Sequence, residues 1–132
     1  MALRPKVLIL DEPTAGLDPK GREDILREIR RYHKETGRTV LLVSHSMEDM
    51  ANCAEKILVM NAGKVFCYDT VENVFRQAKA LQEIGLAVPQ ITRVCMQLRE
   101  QGIPLSDDIY TVEAAYQQIL QLYRQPKEGA EC

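Results

Sequence analysis

The sequence predicts an α/β fold in which parallel core strands lead into a hairpin and then into a small all-helical tail. Two short runs of consecutive aliphatic residues, at positions 7–10 and 40–43, flank a stretch of helical periodicity. Such runs are typical of strands buried on both faces of a parallel sheet. A third apolar run is followed by a glycine turn, and beyond Thr70 only helical patterns remain.

The first strand is predicted at Val7–Leu10, where the apolar run ends abruptly in Asp-Glu-Pro. Asp18 and Pro19 then form the signal for a helix start, because aspartate caps free N–H groups and proline presets the first helical φ. We expect this helix to end near Thr36, before a glycine. The expected inner face comprises Ile25, Leu26, Ile29 and Tyr32.

A second buried strand is predicted at Thr39–Val43, followed by a short helix over about 47–54. The next strand, Lys56–Met60, is followed by Asn-Ala-Gly, a composition that favours a turn. Residues 64–68 should therefore return as the second arm of a hairpin.

The C-terminal region is predicted to be helical throughout. Helices are expected over about 71–77, 78–84 (continuing the first or beginning anew), 90–101 and 111–124. The last carries an amphipathic stripe of Val112, Ala115, Tyr116, Ile119, Leu122 and Tyr123. We expect the boundary between the α/β part (1–75) and a helical dimerisation region (76–125) near residue 75, and a disordered tail over 126–132.

Composition restricts the functional classes. The 132 residues carry a formal net charge of −2, which argues against nucleic-acid binding because phosphate neutralisation needs clustered positive charge. No apolar run approaches the ~20 residues that a membrane-spanning helix needs. The four cysteines are widely spaced, without a CxxC pair, so reduced thiols are expected.

Two adjacent carboxylates, Asp11 and Glu12, follow the first strand. Ligands of open α/β sheets bind outside the carboxyl ends of the strands, and a buried strand has no structural use for unpaired carboxylates. The pair by itself allows two interpretations: a functional site, or a cap for the following turn.

The continuation favours the functional interpretation. The run Leu10–Pro19 (LDEPTAGLDP) resembles the Walker B and D-loop segment of ABC ATPases, and Leu42–His45 (LVSH) resembles their H-loop. Residues 61–65 and 70–75 resemble the hairpin and helix that follow in transporter ATPases. The resemblance runs in family order from Arg4 to about Phe75 and implies the C-terminal part of a P-loop ABC ATPase domain.

The resemblance implies ATP and Mg²⁺ as cofactors and a role for each matching residue. Asp11 would hold Mg²⁺, Glu12 would accept a proton from the attacking water, and His45 would contact the γ-phosphate. Asp18 and its loop would reach a partner's nucleotide site. His33, within a charged stretch, is expected to lie on a solvated face.

Other ABC motifs are not found. A P-loop needs GxxxxGK followed by serine or threonine, and the nearest run, Gly16–Glu23, has arginine and glutamate at the last two positions. An LSGGQ-like signature is likewise not found. We therefore expect the chain alone neither to bind ATP tightly nor to hydrolyse it. Strands without their neighbours should expose apolar surface and favour a dimer or higher assembly.

The residues after the hairpin indicate which group of ABC ATPases the chain resembles most. Residues 81–92, 98–104 and 109–113 resemble the tail of ATPases from energy-coupling factor importers, which take up vitamins, nickel or cobalt. This implies as partners a second ABC ATPase, a membrane coupling protein and a substrate-binding membrane protein, at the cytoplasmic face of a bacterial-type membrane. Asp69 departs from the family, where a small residue is common.

Two alternatives belong to other functional classes. A DNA-repair or chromosome-maintenance ATPase shares the Asp-Glu-Pro run and the later histidine, but the hairpin, helical tail and acidic balance disfavour it. A non-enzymatic dimerisation or regulatory module derived from an ABC ATPase remains open, since Asp11, Glu12 and His45 would persist in it.

Overall fold

A computed structural model describes residues 5–124, so the expectations for Arg4, for the tail 126–132 and for Cys132 lie outside the described residues. The chain divides into two compact units, with the division after Glu55. The predicted domain boundary near residue 75 stays a prediction. The elements are β1 (Val7–Asp11), α1 (Pro19–Thr36), β2 (Thr39–Val43), α2 (Met47–Cys53), β3 (Lys56–Asn61), β4 (Lys64–Thr70), α3 (Val71–Arg76), α4 (Ala78–Glu83), α5 (Gln90–Glu100) and α6 (Val112–Arg124).

The first unit is built on two parallel strands. β1 and β2 pair in register from Val7 opposite Thr39 to Asp11 opposite Val43. The expectation that these strands are buried on both faces is wrong within the described residues: alternate side chains are exposed, with Ile9 64% exposed. The apolar surface expected of strands without neighbours is present, formed by Val7, Ile9, Leu41 and Val43.

Helix α1 crosses from β1 to β2, with the predicted caps. Asp18 accepts a hydrogen bond from the first turn, and Gly37 ends the helix at φ 62°, a left-handed conformation that favours glycine. Leu26 and Ile29 are buried, as predicted. Ile25 is exposed, which corrects its predicted place on the inner face.

The second unit begins with the predicted hairpin. β3 and β4 pair antiparallel, and Asn61 stands opposite Lys64 across a two-residue turn. Ala62 and Gly63 both have positive φ, as the type I′ turn of a tight hairpin requires. The ladder register shifts between Val59 and Met60.

The rest of the second unit is helical, as predicted, and α4 begins as a helix of its own after α3. Its buried residues include Val71, Val74, Phe75, Ala78, Leu81, Val88, Cys95, Leu105, Ile109 and Ala115. On α6, Ala115 packs inward while Val112, Tyr116, Ile119 and Tyr123 are exposed, so the predicted stripe divides between two faces. Within residues 5–124, none of the helices combines the length and apolarity needed to cross a membrane.

Candidate functional site

The parallel pairing of β1 and β2 brings two chain segments to one edge of the sheet. Asp11 is the last residue of β1 and pairs with Val43, the last residue of β2. The Glu12 N–H donates to the Val43 carbonyl over 2.8 Å, which carries the ladder one residue further. Glu12 and His45 therefore leave the sheet side by side, as expected for the carboxyl ends of parallel strands.

The backbone at Glu12 is strained. Its φ is 45°, in the left-handed region that non-glycine residues seldom occupy. Pro13 follows, and a residue before proline is normally held to extended conformations. Such strain persists only where the surroundings over-determine the backbone, and it is commonest at functional sites.

Glu12 and His45 form a close pair. The Glu12 Oε1 atom accepts hydrogen bonds from the His45 backbone N–H at 3.0 Å and from the ring Nδ1 at 2.7 Å. Because a carboxylate only accepts, Nδ1 carries the proton of this bond. Ser44 Oγ donates a long bond of 3.5 Å to the other carboxylate oxygen, Oε2. The His45 side chain remains 89% exposed, so its Nε2 edge is accessible to a ligand.

The hydrogen bond from the His45 side chain is the main cause that lowers the pKa of Glu12. Burial opposes it, whereas the charge of His45 and the hydrogen bonds from the His45 N–H and Ser44 lower the pKa further. Glu12 is therefore a pre-formed carboxylate acceptor at neutral pH. A carboxylate that accepts a proton must first be ionised, so this environment suits the predicted chemistry.

The lowered pKa of Glu12 sets the sign of a pH effect on stability. A carboxyl whose pKa is lower in the folded state stabilises above its unfolded pKa, about 4.5, and this contribution disappears as pH falls through the folded value. We expect wild type to unfold at a higher temperature than Glu12→Gln from pH 7 to 5, with the difference shrinking below about pH 4.5. Thermal unfolding followed by circular dichroism measures this, and a difference that stays constant down to pH 3 would contradict it.

Asp11 offers a carboxylate suited to a hard cation. Its side chain is exposed at the carboxyl end of β1, and within residues 5–124 it takes part in no hydrogen bond or ion pair. Proteins commonly hold Mg²⁺ through one or two carboxylates, with phosphate oxygens and water completing the shell. Asp11 fits that donor set. The described part of the chain contains no group of three or more His, Cys, Asp or Glu side chains that could hold a metal without other ligands.

Asp18 has a local structural role. Its Oδ1 accepts from the Gly21 N–H at 2.9 Å and caps α1, as the sequence predicts. A Cβ at position 21 would lie 2.7 Å from that oxygen, so glycine allows the close approach. The glycines at 16 and 21 thus belong to the turn and helix start, in agreement with rejecting them as a P-loop. The predicted contact of Asp18 with a partner's nucleotide stays a prediction.

His33 lies on a partly exposed face, with its side chain 43% exposed, and it also makes two contacts. Its Nδ1 donates to the Arg38 carbonyl at 2.6 Å, and its Nε2 lies 3.4 Å from a Glu55 carboxylate oxygen. These contacts join the end of α1 to the residue before β2 and to Glu55, two residues after α2. Cys53, Cys67 and Cys95 are free thiols, as predicted for the described cysteines.

Sequence reasoning missed two buried polar residues beside the site. Thr14 Oγ1 donates to Asp49 Oδ2 at 2.7 Å, and both residues are almost completely buried. Thr14 lies in the turn after Glu12, and Asp49 lies on α2, the helix after His45. They are 35 positions apart, and no local pattern signals the bond.

Comparison with known proteins identifies similar chains. Residues 1–50 match the family described as "AAA domain, putative AbiEii toxin, Type IV TA system". The chain is 51% identical over 124 residues to energy-coupling factor transporter ATP-binding protein EcfA2 of Clostridium perfringens, covering 94% of this chain and 44% of the relative. It is 50% identical over 127 residues to the protein of that name from Caldanaerobacter subterraneus, covering 96% and 44%.

A solved structure supports the same relationship. CbiO1 from Clostridium perfringens, described as part of the ABC transporter complex CbiONQ, aligns with a TM-score of 0.53 and 32% identity. The alignment covers 72% of this chain and 37% of that one. The chain thus spans less than half the length of the relatives it matches.

Proposed function

Because this chain belongs to the ABC ATPases and matches the C-terminal half of energy-coupling factor transporter ATP-binding proteins, we propose that it forms the hydrolytic side of an ATP site. The whole protein would couple hydrolysis to import of a vitamin or a metal ion such as cobalt. The observation that carries the proposal is the Glu12–His45 pair at adjacent strand ends, with Oε1 and Nδ1 2.7 Å apart.

Each site residue has a proposed role that its environment supports. Asp11, exposed and without an ion pair among the described residues, would hold Mg²⁺, which when bound with ATP would neutralise phosphate charge. Glu12, an ionised acceptor, would orient the attacking water and accept its proton. His45 would keep Glu12 in place through Nδ1 and offer Nε2 to the γ-phosphate. Asp18 would act in a partner's site through its loop.

The chain alone is expected to bind Mg²⁺–ATP too weakly to detect, because a P-loop supplies most of the backbone N–H groups and the lysine that hold phosphates. A hybrid protein, in which this chain replaces the matching C-terminal part of the Clostridium perfringens relative, should bind and hydrolyse ATP. Calorimetry measures binding and phosphate release measures turnover, with Asp11→Ala as the magnesium-site variant.

Two outcomes would contradict this proposal. A folded hybrid that binds ATP and does not hydrolyse it would favour the non-enzymatic module. Micromolar binding by the chain alone, abolished by Asp11→Ala, would mean that another segment cradles the phosphates. Circular dichroism and size-exclusion chromatography of each protein establish folding before either result is interpreted.

The proposed partners are a second ABC ATPase subunit, a membrane coupling protein and a substrate-binding membrane protein, at the cytoplasmic face of the bacterial membrane. Support comes from relatives that are ATP-binding proteins of transporters and from two exposed apolar surfaces, one on β1 and β2 and one on α6. Tyr123 on α6 is 88% exposed, although it lies in an apolar stripe. Large exposed apolar patches mark interaction surfaces. The exposed apolar residues of α6 therefore support dimerisation through the helical region.

A further inference from the structure

We propose that Thr14 and Asp49 are positioning residues whose buried hydrogen bond sets the geometry of the Glu12–His45 pair. The catalytic consequence of this inference rests on the proposed function, whereas its structural part does not. The Thr14 hydroxyl donates to Asp49 Oδ2 at 2.7 Å, and the residues are 3% and 2% exposed.

The bond joins the two segments that carry the site. Thr14 stands two residues after Glu12, in a turn closed by the Ala15 N–H bonding to the Glu12 carbonyl at 3.1 Å. Asp49 stands four residues after His45, within α2. A displacement of the turn relative to α2 would therefore change the separation between the Glu12 carboxylate and the His45 ring.

Burial makes this bond costly to lose. A buried carboxyl group needs partners for its oxygens, and Asp49 has them: Thr14 on Oδ2 and the Arg22 guanidinium 3.9 Å from Oδ1. Arg22 is half exposed, so the shorter, buried bond from Thr14 is the stronger constraint. Within residues 5–124 no buried side-chain nitrogen or oxygen is left without a partner.

The strained backbone of Glu12 explains why such a constraint is needed. On one side, the Glu12 N–H is held by the Val43 carbonyl at 2.8 Å. On the other side, the chain is held by Thr14 on Asp49. A φ of 45° before a proline relaxes unless both sides are fixed, and relaxation would swing the carboxylate away from His45.

Hydrogen exchange measured by NMR on the 132-residue chain tests the structural part. The reporters are the Glu12 amide and the His45 amide, which donates directly to the Glu12 carboxylate at 3.0 Å. Thr14→Val keeps the side-chain shape and removes the donor. It should speed exchange at both amides by roughly 10- to 100-fold, whereas Thr14→Ser, which retains the hydroxyl, should stay within about threefold of wild type.

Controls separate positioning from general destabilisation. The Gly37 amide, bonded to the His33 carbonyl at the end of α1, reports on the rest of the first unit and should change much less. Thr92→Val removes an equally buried hydroxyl that donates to the Ile109 carbonyl at 2.9 Å in the second unit. It should leave Glu12 and His45 exchange unchanged.

Unchanged Glu12 and His45 amides in Thr14→Val, or an equal change at Gly37, would overturn the inference. If Thr14→Val does not fold, Asp49→Asn replaces it, because the amide keeps the shape and removes the charge-assisted part of the bond. It should speed exchange at the same two amides by about threefold or more. No change there would be equally decisive against the inference.

Kinetics of the hybrid protein test the catalytic consequence. Thr14→Val should lower kcat by roughly 10- to 100-fold with KM for ATP within about threefold, and Thr14→Ser should restore kcat. A change in KM alone would overturn a positioning role. An unmodified hybrid without ATPase activity would count against the proposed function only, because the exchange measurements do not depend on turnover.

Discussion

Glu12→Gln in the hybrid protein is expected to lower kcat for ATP by roughly 100- to 10,000-fold, the contribution typical of a positioned general base. Glutamine keeps an oxygen that can accept from the His45 N–H, now 3.0 Å from Glu12 Oε1, so the local backbone should survive. The amide cannot accept a proton from water at neutral pH. The loss should therefore fall on kcat, with KM for ATP changed by less than about threefold.

Glu55→Gln is the matched control for this substitution. Glu55 is also a glutamate beside a histidine, with its carboxylate 3.4 Å from His33 Nε2, and its side chain is 82% exposed. The Glu55 variant should keep kcat within about twofold, since exposed pairs of this kind contribute little. A Glu12 variant with near wild-type kcat would remove Glu12 from the chemistry, and an equal loss in both variants would indicate a nonspecific effect.

The sequence places the two members of the Glu12–His45 pair after two aliphatic runs, and the resemblance to ABC ATPases implied that they act together. Asp11 and Glu12 follow one aliphatic run, and His45 follows the next. Parallel pairing of the two strands that these runs form brings their carboxyl ends together, and this places Glu12 beside His45. The sequence contains no comparable signal for the positive φ of Glu12, which arises from how the turn is held by tertiary contacts.

The Thr14–Asp49 bond shows why buried contacts between distant residues could not be predicted from the sequence. Threonine after proline is ordinary in a turn, and aspartate near the start of a helix normally serves the helix N-terminus. Only the packing of α2 against the turn buries both and makes them partners over 35 positions. The prediction for Ile25 failed for a similar reason. Its helical spacing is compatible with the inner face of α1, but packing buries Leu26 and Ile29 and leaves Ile25 exposed.

The exposure of β1 and β2 could not be predicted from the aliphatic runs themselves. Uninterrupted aliphatic runs are typical of strands covered on both faces. The structure pairs β1 with β2, and Ile9 and Leu41 remain exposed. The exposed face agrees with the expectation that strands without neighbours expose apolar surface.

Phe75→Ala is expected to destabilise the second unit by about 3–5 kcal/mol, the usual cost of removing a buried aromatic side chain. Phe75 is 1% exposed on α3, and its ring centroid lies 5.9 Å from that of Tyr110. The substitution removes this contact and leaves a cavity among residues already packed closely. Since small domains are stable by only about 5–15 kcal/mol, the loss should lower the unfolding temperature by more than about 10 °C.

Phe66→Ala provides the matched comparison, because it is the same substitution at a phenylalanine that is 39% exposed on β4. It should cost about 1 kcal/mol, since less apolar surface returns to water and no closed cavity forms. Urea unfolding followed by far-ultraviolet circular dichroism suits a chain that contains no tryptophan. Equal losses for the two variants would mean that Phe75 is not at the centre of a packed core, and that the helices after β4 are held by another set of contacts.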